Sequence, residues 1–176
     1  MARYHFVTRF DLTAGRVDVW ELLGDPTTWP SWWRWLQRVD QLDPGRADRV
    51  GARYRYAFKT ALPYTLSFET ETVRIEPRSL IEARSTGELA GSGLWQLSER
   101  DGLCEVRYDW IVETTKRWMN VLAPVARPAF SWNHDRLMRD FATGFARQLG
   151  TEPRFVQNRT IDRRDPSFGR LPVPQG

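Results

Sequence analysis

The sequence predicts an α+β protein in which one long C-terminal helix covers a curved antiparallel sheet of six to seven strands. Three observations predict it: the chain opens on a strand pattern with two short helices after it, strands at hairpin spacing follow from residue 52, and residues 120–149 change to helical spacing. One helix must then cover one sheet, and the two pack solidly only where large side chains fill the gap. We therefore expect a cavity between them, lined by aromatic and aliphatic groups.

Length and composition indicate a single globular domain. The chain has 176 residues, of which 41% are hydrophobic and 27% charged, with 9 Trp, 5 Tyr and 9 Phe. Folding of a chain this long removes roughly 70% of its unfolded surface from water, and so much apolar content excludes a disordered protein. No apolar run approaches the roughly 20 residues that span a bilayer, and no signal-peptide core is present, so we predict a cytoplasmic protein without stable membrane insertion.

Cysteine, histidine and charge exclude several classes of site. Cys104 is the single cysteine, which excludes a disulfide framework or a cysteine-based zinc site within one chain, and with only two histidines we predict no metal and no cofactor. The net charge is +4, but residues 151–176 carry five Arg against three acids, or half of the excess. Because no cluster of Lys and Arg lies beside stacking aromatics, nucleic acid is not an expected partner.

The first strand is followed by two short helical segments. Apolar side chains alternate along Tyr4–Leu12, which predicts a strand, and helical spacing then runs up to Gly24, where a helix would end. Residues 29–35 contain four Trp, and Pro26 and Pro30 interrupt any longer helix. A single helical turn is therefore expected in this tryptophan-rich segment.

The middle of the chain is a series of strands. In the longest, Tyr64–Glu76, Leu66 and Phe68 lie on one parity and Ile75 on the other, so a bulge is expected near Glu69–Thr72. The remaining strands are expected near residues 39–42, 52–59, 80–86, 94–99 and 104–113.

The C-terminal helix carries one apolar stripe. Its members are spaced by three or four residues, and we expect the regular helix to start near Ala129, because Pro124 and Pro128 interrupt its approach. The helix ends at Gly150, which closes a predicted domain of residues 1–150. Residues 151–176 are rich in Pro and Arg and are predicted to be an extended arm or disordered. The stripe consists of Phe130, His134, Leu137, Phe141, Phe145 and Leu149.

A family resemblance supports this reading over roughly residues 3–149. The element order resembles the polyketide cyclase/dehydrase branch of the START-related, birch-pollen-allergen-like superfamily, SRPBCC. That superfamily includes lipid carriers, hormone receptors, cyclases and coenzyme-Q-binding proteins. The resemblance implies a helix-grip fold with a deep apolar cavity under the last helix, and it does not fix the function. The segments that carry it are the tryptophan-rich segment, Gly91-Ser92-Gly93-Leu94-Trp95-Gln96-Leu97, and the helix entry from Leu122-Ala123-Pro124 to Trp132-Asn133-His134-Asp135.

Four polar residues are candidate catalytic groups. His134 lies on the stripe that faces the expected cavity, beside Asn133, and an imidazole with a pKa near 6.5 can donate to a carbonyl or shuttle a proton. The alternative is a neutral core histidine bonded to a strand. Glu69 and Glu71 are its candidate partners if their strand face points inward, where burial would raise their pKa values. The alternative is that both lie on the outer, solvated face.

The aromatic residues supply the expected cavity wall. The four Trp of residues 29–35 form a lid or core layer, or an interfacial anchor for transient membrane contact. The first function hypothesis is binding of a hydrophobic or aromatic small molecule of lipid, polyketide or isoprenoid type, by a monomer or homodimer. The alternative is a polyketide cyclase or dehydratase with His134 as acid/base. The predicted ligand-binding residues are Trp33, Tyr54, Tyr56, Phe58, Trp95, Tyr108, Trp110, Leu137 and Phe141.

Overall fold

The computed structural model describes residues 2–59, 65–115 and 117–172, with residues 117–127 and 155 described by their backbone alone. Eight strands form one sheet, every pairing is antiparallel, and the order is β2-β3-β4-β5-β6-β7-β1-β8. The elements in chain order are β1 (Arg3–Leu12), α1 (Arg16–Gly24), a 3-10 helix (Pro26–Ser31), β2 (Leu36–Asp43), β3 (Arg53–Lys59), β4 (Thr65–Glu76), β5 (Leu80–Gly87), β6 (Leu89–Arg100), β7 (Leu103–Thr114), α2 (Arg117–Gln148) and β8 (Pro153–Thr160).

The α+β class and the helix-grip arrangement predicted from the sequence are confirmed. The inner face of the sheet packs on α2 through Phe10 of β1 and through Phe141 and Phe145 of the helix, all fully buried. The 3-10 helix closes this end of the core, because Gly144 lets Trp32 approach α2 so closely that a Cβ at Gly144 would lie 3.0 Å from the indole. Within the described residues, no helix is long and apolar enough to cross a membrane.

The bulge predicted in β4 is present, one residue further along than expected. The pairing of β4 with β5 shifts register between Thr72 and Arg74. Before the shift the inward-facing side chains have even numbers, including Phe68, and after it Ile75 faces inward. The extra residue therefore reconciles the two apolar phases of the strand, as expected from its pattern. The first residue of the predicted strand, Tyr64, lies outside the described residues.

Helix α2 begins at Arg117, not near Ala129 as the prolines predicted. The helix runs through Pro124 and Pro128, so the expected interruption is wrong. An interior proline removes one backbone donor and crowds the preceding turn, which costs a helix about 3 kcal/mol or more, but its fixed φ is close to the helical value, so a long helix can continue through it. The long apolar stripe after Pro128 continues the helix to Gln148.

The C-terminal segment, predicted to be either an extended arm or disordered, contains an eighth strand. β8 pairs with β1 from Phe6 to Leu12 and extends the sheet to eight strands, one more than the upper expectation. Asn158 fixes β8 to both layers: its Oδ1 accepts a hydrogen bond from the buried Thr8 hydroxyl at 2.7 Å, and its Nδ2 donates to the Asp135 carbonyl at 3.1 Å. The extended alternative for this arm therefore fits residues 153–160, while residues 173–176 lie outside the described residues.

The chain after β8 also covers a charged cluster on the outer face of β1 and β7. His5 Nε2 lies 3.4 Å from Asp109 Oδ1, and Arg107 donates to the same carboxylate. Phe168 packs edge-on against the His5 ring at 6.4 Å. Burial opposes ionisation of Asp109, but the hydrogen bonds from His5 and Arg107 outweigh it and lower the pKa of the carboxyl. His5 thus belongs to the outer face, across the sheet from the cavity.

Asn158→Ala tests whether β8 is part of the domain. It leaves the Thr8 hydroxyl and the Asp135 carbonyl without their partner, so we expect a loss of about 1–3 kcal/mol in the free energy of unfolding, measured with urea. The control is Gln157→Ala, exposed on the same strand, with an expected change within about 0.5 kcal/mol. Equal stabilities of the two variants would contradict the structural role of Asn158.

Candidate functional site

A cavity of about 400 Å³ lies between α2 and the inner face of the sheet. It is continuous from the C-terminal end of α1, across β3 to β7, to the middle of α2. Its lining is mainly aromatic and aliphatic, with a few threonine, asparagine, histidine and basic side chains. Such composition is typical of pockets that bury a small molecule and orient it by a few polar groups.

Flat aromatic rings stacked in series form the wall on β3 and β4. Phe58 and Phe68 lie with ring planes 4° apart and centroids separated by 5.7 Å, and Tyr56 stacks on Phe68 at 5.5 Å. On the neighbouring strands, Trp95 stacks on Tyr108 at 4.0 Å. The strand alternation produces this arrangement, because every second side chain of a strand faces the same side.

The structure brings together eight of the nine predicted ligand-binding residues. Phe141 is the exception: it is fully buried and contacts Trp33 with ring centroids 4.9 Å apart, so it supports the wall from the solid core. Phe68 and Arg49 line the cavity and were missed by the sequence analysis. The parity of β4 carried a signal for Phe68, whereas Arg49 lies in a loop without periodicity. The eight that line the cavity are Trp33, Tyr54, Tyr56, Phe58, Trp95, Tyr108, Trp110 and Leu137.

The tryptophan-rich segment lines the cavity and also covers one side of it. Trp29 and Trp33 are buried and line the cavity. Their indole N–H groups donate to backbone carbonyls of α1 and α2, Trp29 to Leu22 and Trp33 to Leu137, each at 3.2 Å. These bonds tie the 3-10 segment to both helices, so the segment closes the cavity on one side.

His134 lies inside the cavity on α2. The ring is 7% exposed and stacks on Phe6, with centroids 4.0 Å apart and planes 12° apart. Among the described residues, neither ring nitrogen has a hydrogen-bond partner, since the nearest carboxylate oxygen, of Asp135, lies 3.8 Å from Nδ1. Asn133, the adjacent candidate, also lines the cavity and is half-buried. Two polar side chains of one helix turn are therefore available to a ligand.

Burial sets the charge state of His134. Desolvation disfavours the imidazolium and lowers the pKa of His134, and the Asp135 carboxylate opposes this only in part. A pKa below the ordinary value near 6.5 keeps the ring neutral at pH 7. In that state one nitrogen accepts a proton or a hydrogen bond and the other donates.

The two strand glutamates do not reach the cavity, and their candidacy as partners of His134 is corrected. Glu69 accepts hydrogen bonds from Arg55 on the outer face, and Glu71 is exposed. Their neighbours Thr70 and Thr72 face inward instead. The reason is the position of the bulge: because it follows Thr72, both glutamates lie before the phase change and keep the outward parity.

Three phenols are further titratable groups of the cavity lining. Burial raises the pKa of Tyr56 and of Tyr108 far above the ordinary value near 10, and it also raises the pKa of Tyr54. All three therefore remain protonated and available as hydrogen-bond donors at pH 7. Burial likewise raises the pKa of Cys104 to about 11, which leaves a thiol and not a nucleophilic thiolate.

Side chains that could hold a metal ion do not gather in the described part of the chain. No group of three or more His, Cys, Asp or Glu side chains is placed to hold a metal ion there.

Comparison with known proteins gives one family and a shared fold. A family model described as polyketide cyclase / dehydrase and lipid transport matches residues 14–142. No curated protein matches the chain in sequence. Solved structures of low identity share its architecture, and at such identities they show the fold alone.

Three of these structures illustrate the similarity. The Zhui aromatase/cyclase from Streptomyces sp. R1128 has a TM-score of 0.66 and 15% identity, over 85% of this chain and 94% of that chain. A START superfamily protein from Mycobacterium smegmatis has a TM-score of 0.67 and 12% identity, over 83% and 97%. The major latex-like protein 151 from Panax ginseng has a TM-score of 0.56 and 15% identity, over 79% and 95%.

The lowered pKa of His134 predicts a pH dependence of stability. Between the ordinary value near 6.5 and the lower pKa of the folded state, the unfolded chain binds the proton more strongly, so stability falls as the pH falls through that window. The slope contributed by this group reaches at most about 1.4 kcal/mol per pH unit. We expect His134→Phe, which keeps the stack on Phe6, to remove that part of the slope between pH 7 and pH 5 in urea unfolding. Identical slopes for variant and wild type would contradict a lowered pKa.

Proposed function

The chain belongs to the polyketide cyclase/dehydrase and lipid transport family, and from that premise we propose that it binds a hydrophobic small molecule of aromatic, polyketide, lipid or isoprenoid type in the cavity under α2. The observation that carries the proposal is the aromatic-lined cavity of about 400 Å³. Protein cores leave few voids larger than a water molecule, whereas ligand pockets start near 300 Å³. A space of this size and lining is therefore more typical of a binding pocket than of imperfect packing.

The shape of the wall favours flat ligands. Stacked rings along β3 and β4 present parallel faces, and an aromatic or conjugated ligand packs against such faces by offset stacking. Tyr108 and Thr70 supply polar atoms within the apolar surface. The ligand expected from this lining is mainly apolar, with few oxygen atoms placed to meet these groups.

Ala83→Phe tests the proposed binding by filling the cavity. Ala83 lines it, so a phenyl ring there occupies ligand space, and we expect at least a tenfold weaker affinity for the fluorescent neutral probe N-phenyl-1-naphthylamine. Ala57→Phe makes the same change on the outer face of β3, where affinity is expected to stay within twofold of wild type. If no apolar probe binds the wild-type protein, the proposed function is wrong.

A cyclase or dehydratase is the second candidate, favoured by one observation. His134 lies in the cavity as a neutral imidazole with both nitrogens unpartnered in the described residues, next to Asn133. A neutral imidazole accepts a proton from an acidic carbon between two carbonyls, and a positioned base of this kind contributes about 100- to 10,000-fold to a rate. The folded shape imposed on the substrate by the cavity wall supplies proximity of the reacting carbons.

The distribution of cyclised products tests whether the protein is a cyclase or dehydratase. Poly-β-ketone thioesters cyclise spontaneously, so we expect the wild-type protein to enrich one cyclised product from such a synthetic substrate, and His134→Gln to return the ratio to the spontaneous one. His5→Gln is the matched control, because His5 lies on the opposite face of the sheet. Circular dichroism verifies that both variants are folded. An unchanged product ratio in His134→Gln would remove His134 from the mechanism.

Transient membrane contact and a cytoplasmic location stay predictions. Trp29 and Trp33, two of the four tryptophans for which membrane contact was considered, are buried, whereas Trp132 is 56% exposed and also lines the cavity. The Arg136 guanidinium lies over both Trp132 and Trp35, 5.4 Å from each ring centroid. Because Trp132 is both exposed and part of the lining, the cavity reaches the surface beside it, and a ligand would enter there.

A further inference from the structure

The charged side chains that line the cavity are basic. In the described part of the chain Arg49 and Lys59 line it, and no Asp or Glu does. A carboxylate or another anionic group of a ligand therefore meets no like charge there. The dielectric is also lower in such an enclosure than in water, which strengthens the attraction between opposite charges.

Arg49 is held at the cavity by close contact with the backbone of α1. Its Nη1 donates a hydrogen bond of 2.6 Å to the Gly24 carbonyl. The guanidinium lies so near Gly24 that a Cβ at this position would approach its atoms to 2.6–3.1 Å. A side chain at this position would push the guanidinium aside, so the glycine allows the close approach and the hydrogen bond to its carbonyl holds the charge at the end of α1.

The backbone of Arg49 is also unusual. Its φ is +63°, in the left-handed region that residues other than glycine seldom occupy. Hydrogen bonds on both sides hold it, from Arg49 N to the Arg46 carbonyl at 2.7 Å and from Ala52 N to the Arg49 carbonyl at 3.1 Å. Strained conformations of this kind persist where the surroundings determine them, and they concentrate at binding sites.

Arg49 has no carboxylate partner in the described residues. No Asp or Glu oxygen among them lies within 4.0 Å of its guanidinium, whereas Arg46, three residues earlier, pairs with Asp48 at 3.0 Å. One N–H of the Arg49 guanidinium serves Gly24, and the fork geometry of the group leaves further donors for an acceptor in the cavity. A half-buried cation without an acid partner is thus available to a ligand.

Tyr54 lines the same cavity as Arg49 and adds a second donor. Its hydroxyl accepts a hydrogen bond from Gln41 Nε2 at 3.3 Å, which leaves the phenol proton to donate. Burial raises the pKa of this phenol, the Gln41 hydrogen bond and the charge of Arg49 partly offset that rise, and the Asp25 carboxylate adds to it. Both side chains line the cavity. A guanidinium and a phenol that line one cavity can both donate hydrogen bonds to a carboxylate.

We infer that Arg49, with Tyr54, binds a carboxylate carried by the ligand, so that the natural ligand is an apolar or aromatic carboxylic acid. The inference rests on the proposed binding function and narrows its ligand class. The aromatic wall holds the apolar body, and the two donors hold the acid group next to the end of α1.

Two fluorescent probes with the same ring system test the inference. 1-Pyrenebutyrate carries the acid and 1-pyrenebutanol replaces it with a neutral alcohol. We expect the wild-type protein to bind the acid at least tenfold more tightly. In Arg49→Met the affinity for the acid should fall about 10- to 100-fold, because a charge-assisted hydrogen bond to the carboxylate is lost. The affinity of this variant for the alcohol should stay within twofold of the wild-type value. Arg49→Lys should recover part of the affinity for the acid.

Matched variants separate the possible failures. Arg46→Met removes an exposed cation of the same loop, and Lys59→Met removes the other basic residue of the lining; both are expected to retain at least half of the preference for the acid. Equal affinity of the wild-type protein for the two probes, or a loss in Arg46→Met as large as in Arg49→Met, would overturn the inference. Binding of neither probe would overturn the proposed function itself. Retained binding of the alcohol by Arg49→Met shows that the variant is folded.

Discussion

A single helix has to cover the inner face of an eight-stranded sheet, and the rest of the molecule follows from this constraint. Strands spaced by about 4.8 Å make a sheet roughly 34 Å wide, whereas a helix with its side chains is only about 10–12 Å across. The sheet must therefore curl around α2, and large side chains must fill what remains. The 3-10 helix with Trp29 and Trp33 closes one side, and the space left unfilled is the cavity.

The same stripe of α2 serves two purposes along its length. Phe141 and Phe145 pack into the solid end of the core against Phe10, and all three are fully buried. Two turns earlier, His134 occupies the equivalent position over the cavity. An imidazole without partners would be unfavourable in a close-packed core, because each unmet hydrogen-bonding atom there costs about 1–3 kcal/mol. Because His134 borders a cavity, a bound ligand can supply the missing hydrogen-bond partners of its ring.

The spacing of apolar residues predicted the features that follow from regular strands and helices. It missed the features that depend on irregular backbone, such as a bulge or a left-handed residue. The element order, the aromatic wall and the inward position of His134 all follow from spacings of two or of three to four residues. The faces of Glu69 and Glu71 were ambiguous, because a bulge near Thr72 decides them and its exact position is not encoded in the pattern. Arg49 carried no periodic signal, since its placement depends on a left-handed φ and on contact with Gly24, 25 residues away. β8 was missed because Pro153–Thr160 contains few apolar residues and no alternation of them, so its pairing with β1 and not its own pattern makes it a strand.

The distribution of charge across the sheet determines what the cavity can do chemically. β4 turns Glu69 outward to Arg55 and turns threonines inward, so in the described residues the carboxylates stay off the lining. Desolvation disfavours the imidazolium of His134, no carboxylate among the described lining residues stabilises it, and Asp135 lies too far for a good hydrogen bond, so the ring stays neutral. Desolvation also disfavours the phenolate form of the buried tyrosines Tyr56 and Tyr108, so they keep their protons. A reaction in this cavity would therefore begin with His134 as a base and with tyrosines as donors to carbonyl oxygens. The acid role would fall to His134 only after it has taken a proton from the substrate.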